Sequence, residues 1–334
     1  MRTDPMSRLD SGQPRLLADI GGTNARFAMQ TGAARFEHVE VIPCGACTTL
    51  GDAIRAYLAS AAARGFSSAA IRHAAIAIAN PVDGDTVSMT NHHWSFSIAA
   101  LRAELGLTTL LVVNDFAALA MALPYLAPGQ RIRIGGDDNE GDAPAGRPLG
   151  LVGPGTGLGV SGVIPCGARW IALAGEGGHA SFAPANRDEV AILERLWSEF
   201  GHVSSERLLS GMGLELIHRA LTDRHLQAAD ITARALDASC FDSRRSVDTF
   251  CAILGSVAGN VALTLGATGG MYIGGGIVPR LGGLFAQSAF RRRFEDKGRL
   301  KAYLARIPTY LITEPYPALP GVAAMLADHL SEAA

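Results

Sequence analysis

The sequence predicts an α/β protein made of two related halves, and three observations carry that reading. Its 334 residues amount to about two domains at roughly 150 residues each. A layout of short apolar strand, glycine turn and second strand occurs around Gly21-Gly22 and again around Gly153–Gly159. Between these landmarks, short apolar runs alternate with segments whose apolar residues recur at helical spacing. Two phosphate-sized turns, one per half, suggest two similar cores facing one cleft.

The elements follow in order. Leu16 to Asp19 reads as a strand, Gly21-Gly22 as its turn and Ala25 to Met29 as the returning strand. A dinucleotide fold would instead continue into a long amphipathic helix, and Thr31-Gly32 stops the segment too soon for that. Leu50, Ile54, Tyr57 and Leu58 space a helix over 49–63. Ala74 to Ala79 is a buried strand, and Asp83-Gly84-Asp85 a turn. Leu110 to Val113 is a strand ending at Asn114-Asp115, followed by a helix over 116–123 that Pro124 stops. A domain boundary is expected close to Pro124, and 127–148 reads as loop.

Leu149 to Val152 and Val160 to Ile164 flank the second glycine turn, and Trp170 to Ala174 is strand-like. Leu193, Leu196, Trp197 and Phe200 are expected to mark one helical face. Further helices are expected over 211–221, 231–238, 247–265 and 319–330, with strands at 271–273 and 310–313. A helix is expected to begin near Pro279.

Composition excludes several classes. Hydrophobic residues make up 48% and charged residues 18%, which excludes a disordered chain. The net charge of −2 argues against a nucleic-acid partner, which usually selects a basic excess. The only lysines are Lys297 and Lys301, so no Walker-type phosphate loop can lie upstream of them. No charge falls between Asp248 and Arg280, yet Ser256, Asn260 and Thr264 interrupt the stretch and glycines end it. It reads as a buried helix, a strand and a turn rather than a membrane span.

The five cysteines, Cys44, Cys47, Cys166, Cys240 and Cys251, suggest no disulfide framework, and Met1 to Pro14 lacks the apolar core of a signal peptide. The cytoplasm is the expected compartment. Cys44-Gly-Ala-Cys47 reads first as a coincidence of spacing, with a redox pair or half a zinc site as alternatives.

Five clusters could carry chemistry. In Asp19-Ile-Gly-Gly-Thr-Asn24, Gly21 and Gly22 would let backbone N–H groups approach a phosphate. Thr23 and Asn24 add donors, and Asp19 could hold a hydrated Mg²⁺. An ordinary hairpin is the rival reading. In Gly153–Gly159, five of seven positions are Gly or Pro, more than a tight turn needs, and Thr156 is its only hydroxyl. Gly274-Gly275-Gly276 follows a strand and could take a ribose or base flat on backbone.

Asp115, beside Asn114 at a strand's carboxyl end, reads equally as a helix N-cap or as the base that takes a hydroxyl proton. Glu176-Gly-Gly-His179 suits a polyhydroxylated substrate, since each hydroxyl both donates and accepts. A metal site would need more ligands. By pattern alone, Glu206 favours a solvated or first-turn helix position.

Leu17-Ala-Asp-Ile-Gly-Gly-Thr-Asn-Ala-Arg-Phe27, Val113-Asn-Asp-Phe116, Gly155-Thr-Gly-Leu-Gly159, Glu176-Gly-Gly-His179 and Glu206-Arg-Leu-Leu-Ser-Gly211 occur in one order. Thr90-Asn-His-His-Trp94 and Gly274-Gly-Gly-Ile277 accompany them. Over about residues 15 to 330 the chain resembles the bacterial glucokinase family, within the hexokinase and actin-like ATPase superfamily. The resemblance implies a two-domain actin-like ATPase (hexokinase) fold with a deep interdomain cleft. Its small α/β domain would take 15–124 plus 315–334, and its large α/β domain 125–314, after a flexible extension 1–14.

The implied reaction is ATP-dependent phosphorylation of glucose to glucose 6-phosphate, with Mg²⁺. Asp115 becomes the catalytic base, and Asn114, Glu176, His179 and Glu206 become sugar contacts. Asp19, Gly21, Gly22, Thr23, Asn24, Gly155, Thr156 and Gly157 become phosphate turns, and Gly274, Gly275 and Gly276 the nucleoside platform. The cysteine-rich zinc motif of a related branch is missing from 180–187, so no zinc is expected. A homodimer is implied, and neither nucleic acid nor membrane.

The alternatives are a kinase of another or an N-acetylated hexose, and a sugar-binding transcription regulator. The regulator would need a helix-turn-helix ahead of the fold, and only about fourteen residues precede Arg15. An actin-like filament protein would leave Glu176 and His179 without a role.

Overall fold

The structure, a computed structural model, describes residues 13–90, 92–136 and 145–332. The expected extension 1–14, apart from Gln13 and Pro14, lies outside the described residues, as do Asn91 and the middle of the expected 127–148 loop.

In chain order the strands are β1 (Arg15–Ile20), β2 (Asn24–Gly32), β3 (Arg35–Pro43), β4 (His73–Ile78), β5 (Thr86–Ser88), β6 (Ser95–Ser97), β7 (Thr109–Asn114), β8 (Arg131–Gly135), β9 (Leu149–Pro154), β10 (Leu158–Cys166), β11 (Arg169–Ala172), β12 (Gly270–Ile273) and β13 (Thr309–Ile312). The α-helices are α1 (Leu50–Ala62), α2 (Ile98–Glu104), α3 (Asp115–Ala122), α4 (Arg187–Trp197), α5 (Ser205–Leu208), α6 (Gly211–Thr222), α7 (Ala228–Leu236), α8 (Phe241–Leu265), α9 (Gly283–Gln287), α10 (Phe290–Glu295), α11 (Lys301–Ala305) and α12 (Ala318–Glu332).

Two compact units result. The first holds the described residues up to Tyr125, with Pro165–Ala174 and those from Pro315 onward. The second holds Leu126–Ile164 and Gly175–Glu314. Pro165–Ala174 departs from the expected division, which gave it to the large domain. Arg169 pairs with Glu332 on α12, and β11 packs on α3, so this hairpin strand groups with the first unit.

In the first unit the sheet runs β3-β2-β1-β4-β7. β1 and β2 form the antiparallel hairpin that the glycine turn predicts, with Ile20 opposite Ala25. β1, β4 and β7 are parallel, and Ile20, Ile78 and Asn114 share one row. Alternate residues point to opposite faces. Leu16, Ala18, Ile20, Ala74, Ile76 and Ile78 pack on Leu50, Ile54 and Tyr57 of α1.

Thr49 starts α1 through a reciprocal cap: its Oγ1 accepts from Asp52 N at 3.0 Å, and its N–H donates to the Asp52 carboxylate at 3.0 Å. α3 and α12 cover the other face of the sheet, where Gly321 lies so close to the Ala118 carbonyl that a Cβ would overlap it.

The sheet of the second unit runs β10-β9-β12-β13-β8. β9, β12 and β13 are parallel; β10 and β8 are antiparallel to their neighbours. β8 lies where a loop was expected. Its Arg-Ile-Arg-Ile run is not a clean alternation: Ile132 is exposed while Ile134 packs against the core, and the Arg131 guanidinium sits 4.5 Å from the Tyr310 ring centre.

α4 differs too. Its buried face is Glu189, Ile192, Leu193 and Leu196, and Trp197 is exposed because the helix ends there. Buried Glu189 is held by Arg293 of α10 at 2.6 Å. Near Pro279 stands a short 3-10 turn, Val278–Leu281.

α8, β12 and the following glycine turn occupy the charge-free stretch, as its pattern predicts. By length and composition α8 is long enough to cross a membrane, and half of its apolar window is buried in the protein. Val247, Phe250, Leu254 and Ala258 belong to the core.

Candidate active site

The first unit gathers its candidate residues at the carboxyl ends of β1, β4 and β7, the edge where ligands collect in parallel sheets. Asp19 stands opposite Arg26 on β2, with Asp19 Oδ2 3.1 Å from Arg26 Nη1. Burial pushes the Asp19 carboxyl above its ordinary range, and the Arg26 pair only partly offsets this. The next turn is held from within. Gly21 N–H donates to the Asn24 carbonyl at 3.0 Å, and Cys44 N–H to the Thr23 carbonyl at 2.8 Å. Gly21 and Gly22 are half-buried and Thr23 is exposed. A Cβ on Gly21 would meet only the Asn24 carbonyl at 3.6 Å, an ordinary contact. The packing of the fold itself does not demand glycine there.

Asn114, not Asp115, caps α3. Its Oδ1 accepts from Ala117 N at 3.0 Å, while its Nδ2 lies 3.4 Å from the Asn80 carbonyl. Asp115 is the first helical residue and half-buried. Its Oδ1 accepts from Phe116 N at 2.8 Å and from Asn114 Nδ2 at 3.3 Å. The N-cap reading of Asp115 is therefore corrected: the neighbouring residue has that duty. Asn80 Oδ1 also accepts from Thr90 N and Oγ1, at 3.1 and 2.7 Å, tying the Thr90–Trp94 motif to the same strand end.

The second unit builds its site around the β9–β10 turn. Gly155 N–H donates to the Gly157 carbonyl at 2.8 Å. Glu206 lies in the first turn of α5, as its pattern suggests, yet its Oε2 accepts from Leu158 N at 2.9 Å. That contact explains Gly157, whose Cβ would collide with the Glu206 carboxylate. Glu176 bridges Val160 on β10, and any Cβ at Gly178 would strike the Leu158 carbonyl. The two glycines thus bend the chain against β10.

That bend sets His179 between two acids. Nδ1 is 3.7 Å from Glu176 Oε2, and Nε2 is 3.6 Å from Glu206 Oε1. The side chains of Glu176 and His179 are 63% and 60% exposed, so their polar atoms remain open to a ligand.

The third glycine turn joins the second. Gly274 N–H donates to the Val152 carbonyl at 2.8 Å, Ile277 N–H to Pro154 at 3.3 Å, and Gly211 N–H at the start of α6 to Gly155 at 3.1 Å. Gly275 has φ +76°, and a Cβ there would run into the Pro154 carbonyl. By contrast, Gly155 and Gly276 face open space.

They line a cavity of about 650 Å³ with Thr156, Gly211, Leu214, Ala228, Thr232, Ala233, Leu236 and Arg280, within the usual size of a small-molecule site. Sequence reasoning missed its α6–α7 wall. The usable signal was Gly211, a glycine opening a helix in the Glu206–Gly211 motif.

Among the described residues no three His, Cys, Asp or Glu side chains form a metal-binding group. Mg²⁺ needs few protein ligands, since it keeps several waters and binds through one or two carboxylates and substrate phosphates. A half-buried carboxylate at a strand end, with Arg26 at one of its oxygens, fits such an ion. Because the folded pKa of Asp19 is raised, folding favours its protonated form. The corresponding stability is complete below the unfolded pKa and lost as pH rises through the folded one. Asp19→Asn is therefore expected to raise the melting temperature at pH 7, by a margin that shrinks toward pH 4. Thermal melts at both values check this; a lower melting temperature at pH 7 would show that the Arg26 pair outweighs burial.

The glucokinase family model matches residues 16–329. A glucokinase of Chromobacterium violaceum is 56% identical over 97% of this chain and 92% of its own length. A bifunctional protein glk of Burkholderia pseudomallei is also 56% identical, and there this chain spans about half, 49%, of the longer protein. Among solved structures, a glucokinase from an Antarctic psychrotroph superposes with a TM-score of 0.84 at 35% identity, over 95% of this chain and 99% of that one.

Proposed function

The chain belongs to the glucokinase family, and from that premise we propose that it transfers the terminal phosphoryl group of ATP to the 6-hydroxyl of glucose. The observation that carries this reading is the placement of Glu206. One carboxylate fixes the β9–β10 turn through Leu158 N and stands beside His179. A set of side chains suited to a polyol thus adjoins a glycine turn suited to phosphate.

In this reading Glu176, His179 and Glu206 bind sugar hydroxyls by accepting and donating in alternation, and Asn114 adds an amide. The Gly21–Asn24 and Gly155–Gly157 turns hold the phosphates with backbone N–H groups, and the Gly274–Gly276 turn with the adjoining cavity takes the nucleoside. Asp115 accepts the proton of the attacking hydroxyl. Mg²⁺, which would neutralise phosphate charge when bound, would be held through water by Asp19. Phosphoryl transfer asks mainly for positioning and charge stabilisation, and these residues supply both. Water is excluded as acceptor because it cannot make the contacts of a sugar.

A homodimer in the cytoplasm completes the proposal, supported by the family resemblance. The test is a coupled ADP-release assay on glucose, mannose, fructose and N-acetylglucosamine. Glucose is expected to give the highest kcat/KM. A higher value for another sugar would make the protein a kinase of that sugar, and no release with any would return it to the sugar-binding regulators.

A further inference from the structure

We propose that Cys44 and Cys47 are a reversible dithiol–disulfide pair that sets the state of the Asp19–Asn24 turn. Both are free thiols. Cys44–Ala46 is one turn of 3-10 helix immediately after β3, closed by Cys47 N–H donating to the Cys44 carbonyl at 3.2 Å. Residues three apart in such a turn eclipse one another, and the ends of a tight turn lie within about 7 Å, the reach of a disulfide.

Their settings differ in a way that suits exchange. Cys47 is partly exposed, while Cys44 is buried, and burial pushes its thiol up. Cys44 is also bound to the turn at two points. Its thiol donates to the Gly21 carbonyl at 3.4 Å, and its N–H to the Thr23 carbonyl at 2.8 Å. Beyond it, the Cys47 carbonyl accepts from Trp94 Nε1 at 3.2 Å, and that of Thr48 is 3.0 Å from His93 Nε2. Among the described residues no third ligand joins the pair as a metal site.

The oxidant is a low-molecular-weight disulfide such as oxidised glutathione. The Cys47 thiolate attacks one of its sulfurs, the S–S bond breaks, and one thiolate leaves. Cys44 then gives its proton to solvent and attacks Cys47 Sγ, releasing the second thiolate. The protein thiols lose two electrons and two protons, and the oxidant takes them up as two thiols. In the disulfide, Cys44 Sγ has no hydrogen to donate, and the Gly21 carbonyl loses its partner. The effect on ATP rests on the phosphate role proposed above for this turn; the disulfide and its effect on the turn do not.

The experiment uses the full chain with Cys166 and Cys240, the other two accessible thiols, replaced by serine. It is equilibrated with oxidised glutathione, trapped with an alkylating agent and analysed by mass spectrometry. The peptide bearing Cys44 and Cys47 should lose the mass of two hydrogens, resist alkylation and revert with dithiothreitol. Amides of 21–24 should then exchange faster without nucleotide present. The ATP half-saturation constant should rise about three- to tenfold, the weight of one ordinary hydrogen bond. Cys47→Ser should keep the reduced protein's kinetics and show none of these changes. Free thiols after equilibration, a glutathione adduct alone, or unchanged amide exchange would each overturn the proposal. A disulfide that speeds exchange but leaves ATP saturation unchanged supports the switch and counts against the phosphate role of the turn.

Discussion

Asp115→Asn is expected to lower kcat by ~10²–10⁴, the range for a positioned acid–base group, while glucose affinity changes by only a few-fold. The substitution keeps the bonds that start the helix. Asn keeps an oxygen to accept from Phe116 N, and α3 stays capped because Asn114 has that task. What disappears is the ability to take a proton at neutral pH. Some stability goes with the charge at the helix start, ~0.3–1 kcal/mol. Asn114→Ala should show the opposite balance, losing ~1 kcal/mol of stability in a thermal melt through the missing cap and weakening glucose binding through the missing amide, with a smaller effect on kcat. Turnover from ADP release and sugar affinity from calorimetry separate the effects. A kcat within threefold of the parent would leave Asp115 with a structural role only.

Much of the fold was legible in the sequence because its strong signals are local. The hairpin at Gly21-Gly22, the helix behind Thr49 and the charge-free stretch ending at Gly274 each follow from turn chemistry and apolar spacing. What escaped the pattern depends on partners far along the chain. β8 lays half-buried Arg131 on Tyr310 and exposes Ile132, so hydropathy at its start points the wrong way. α4 buries Glu189, whose partner Arg293 comes about a hundred residues later. The grouping of 165–174 with the first unit comes from the packing of β11 on α3 and from Glu332 near the other end of the chain.

The site divides in the same way. Its glycines could be found by composition, but the sequence could not say which of them the fold requires. Gly157, Gly178 and Gly275 make room for Glu206, Leu158 and Pro154, whereas Gly21, Gly155 and Gly276 meet no obstacle in the protein. The second group is the one whose emptiness a ligand would explain. Glu206 was the least specific residue by pattern, and it gains most from the structure, since its bond to Leu158 N lies 48 residues away in sequence.

That bond changes what removing Glu206 should do. Glu176→Ala and His179→Ala are expected to weaken glucose binding roughly 10- to 150-fold, the weight of a hydrogen bond to a charged group, with ATP affinity nearly unchanged. Glu206→Ala should weaken glucose to a similar degree and also weaken ATP, because Leu158 N loses its acceptor and the Gly155–Gly157 turn loses its brace. Glu206→Gln separates the two roles. Its amide oxygen can still accept from Leu158 N, so ATP affinity should return toward the parent, while the loss of charge beside His179 keeps glucose weak. Because the three side chains adjoin, a pair of changes should cost less than the two singles combined. Calorimetry with each ligand on these four variants and on the Glu176→Ala/His179→Ala pair reads all of this. If Glu206→Ala and Glu206→Gln bind ATP equally well, the brace is without effect on the nucleotide. If Glu176→Ala and His179→Ala bind glucose like the parent, the polyol site lies elsewhere.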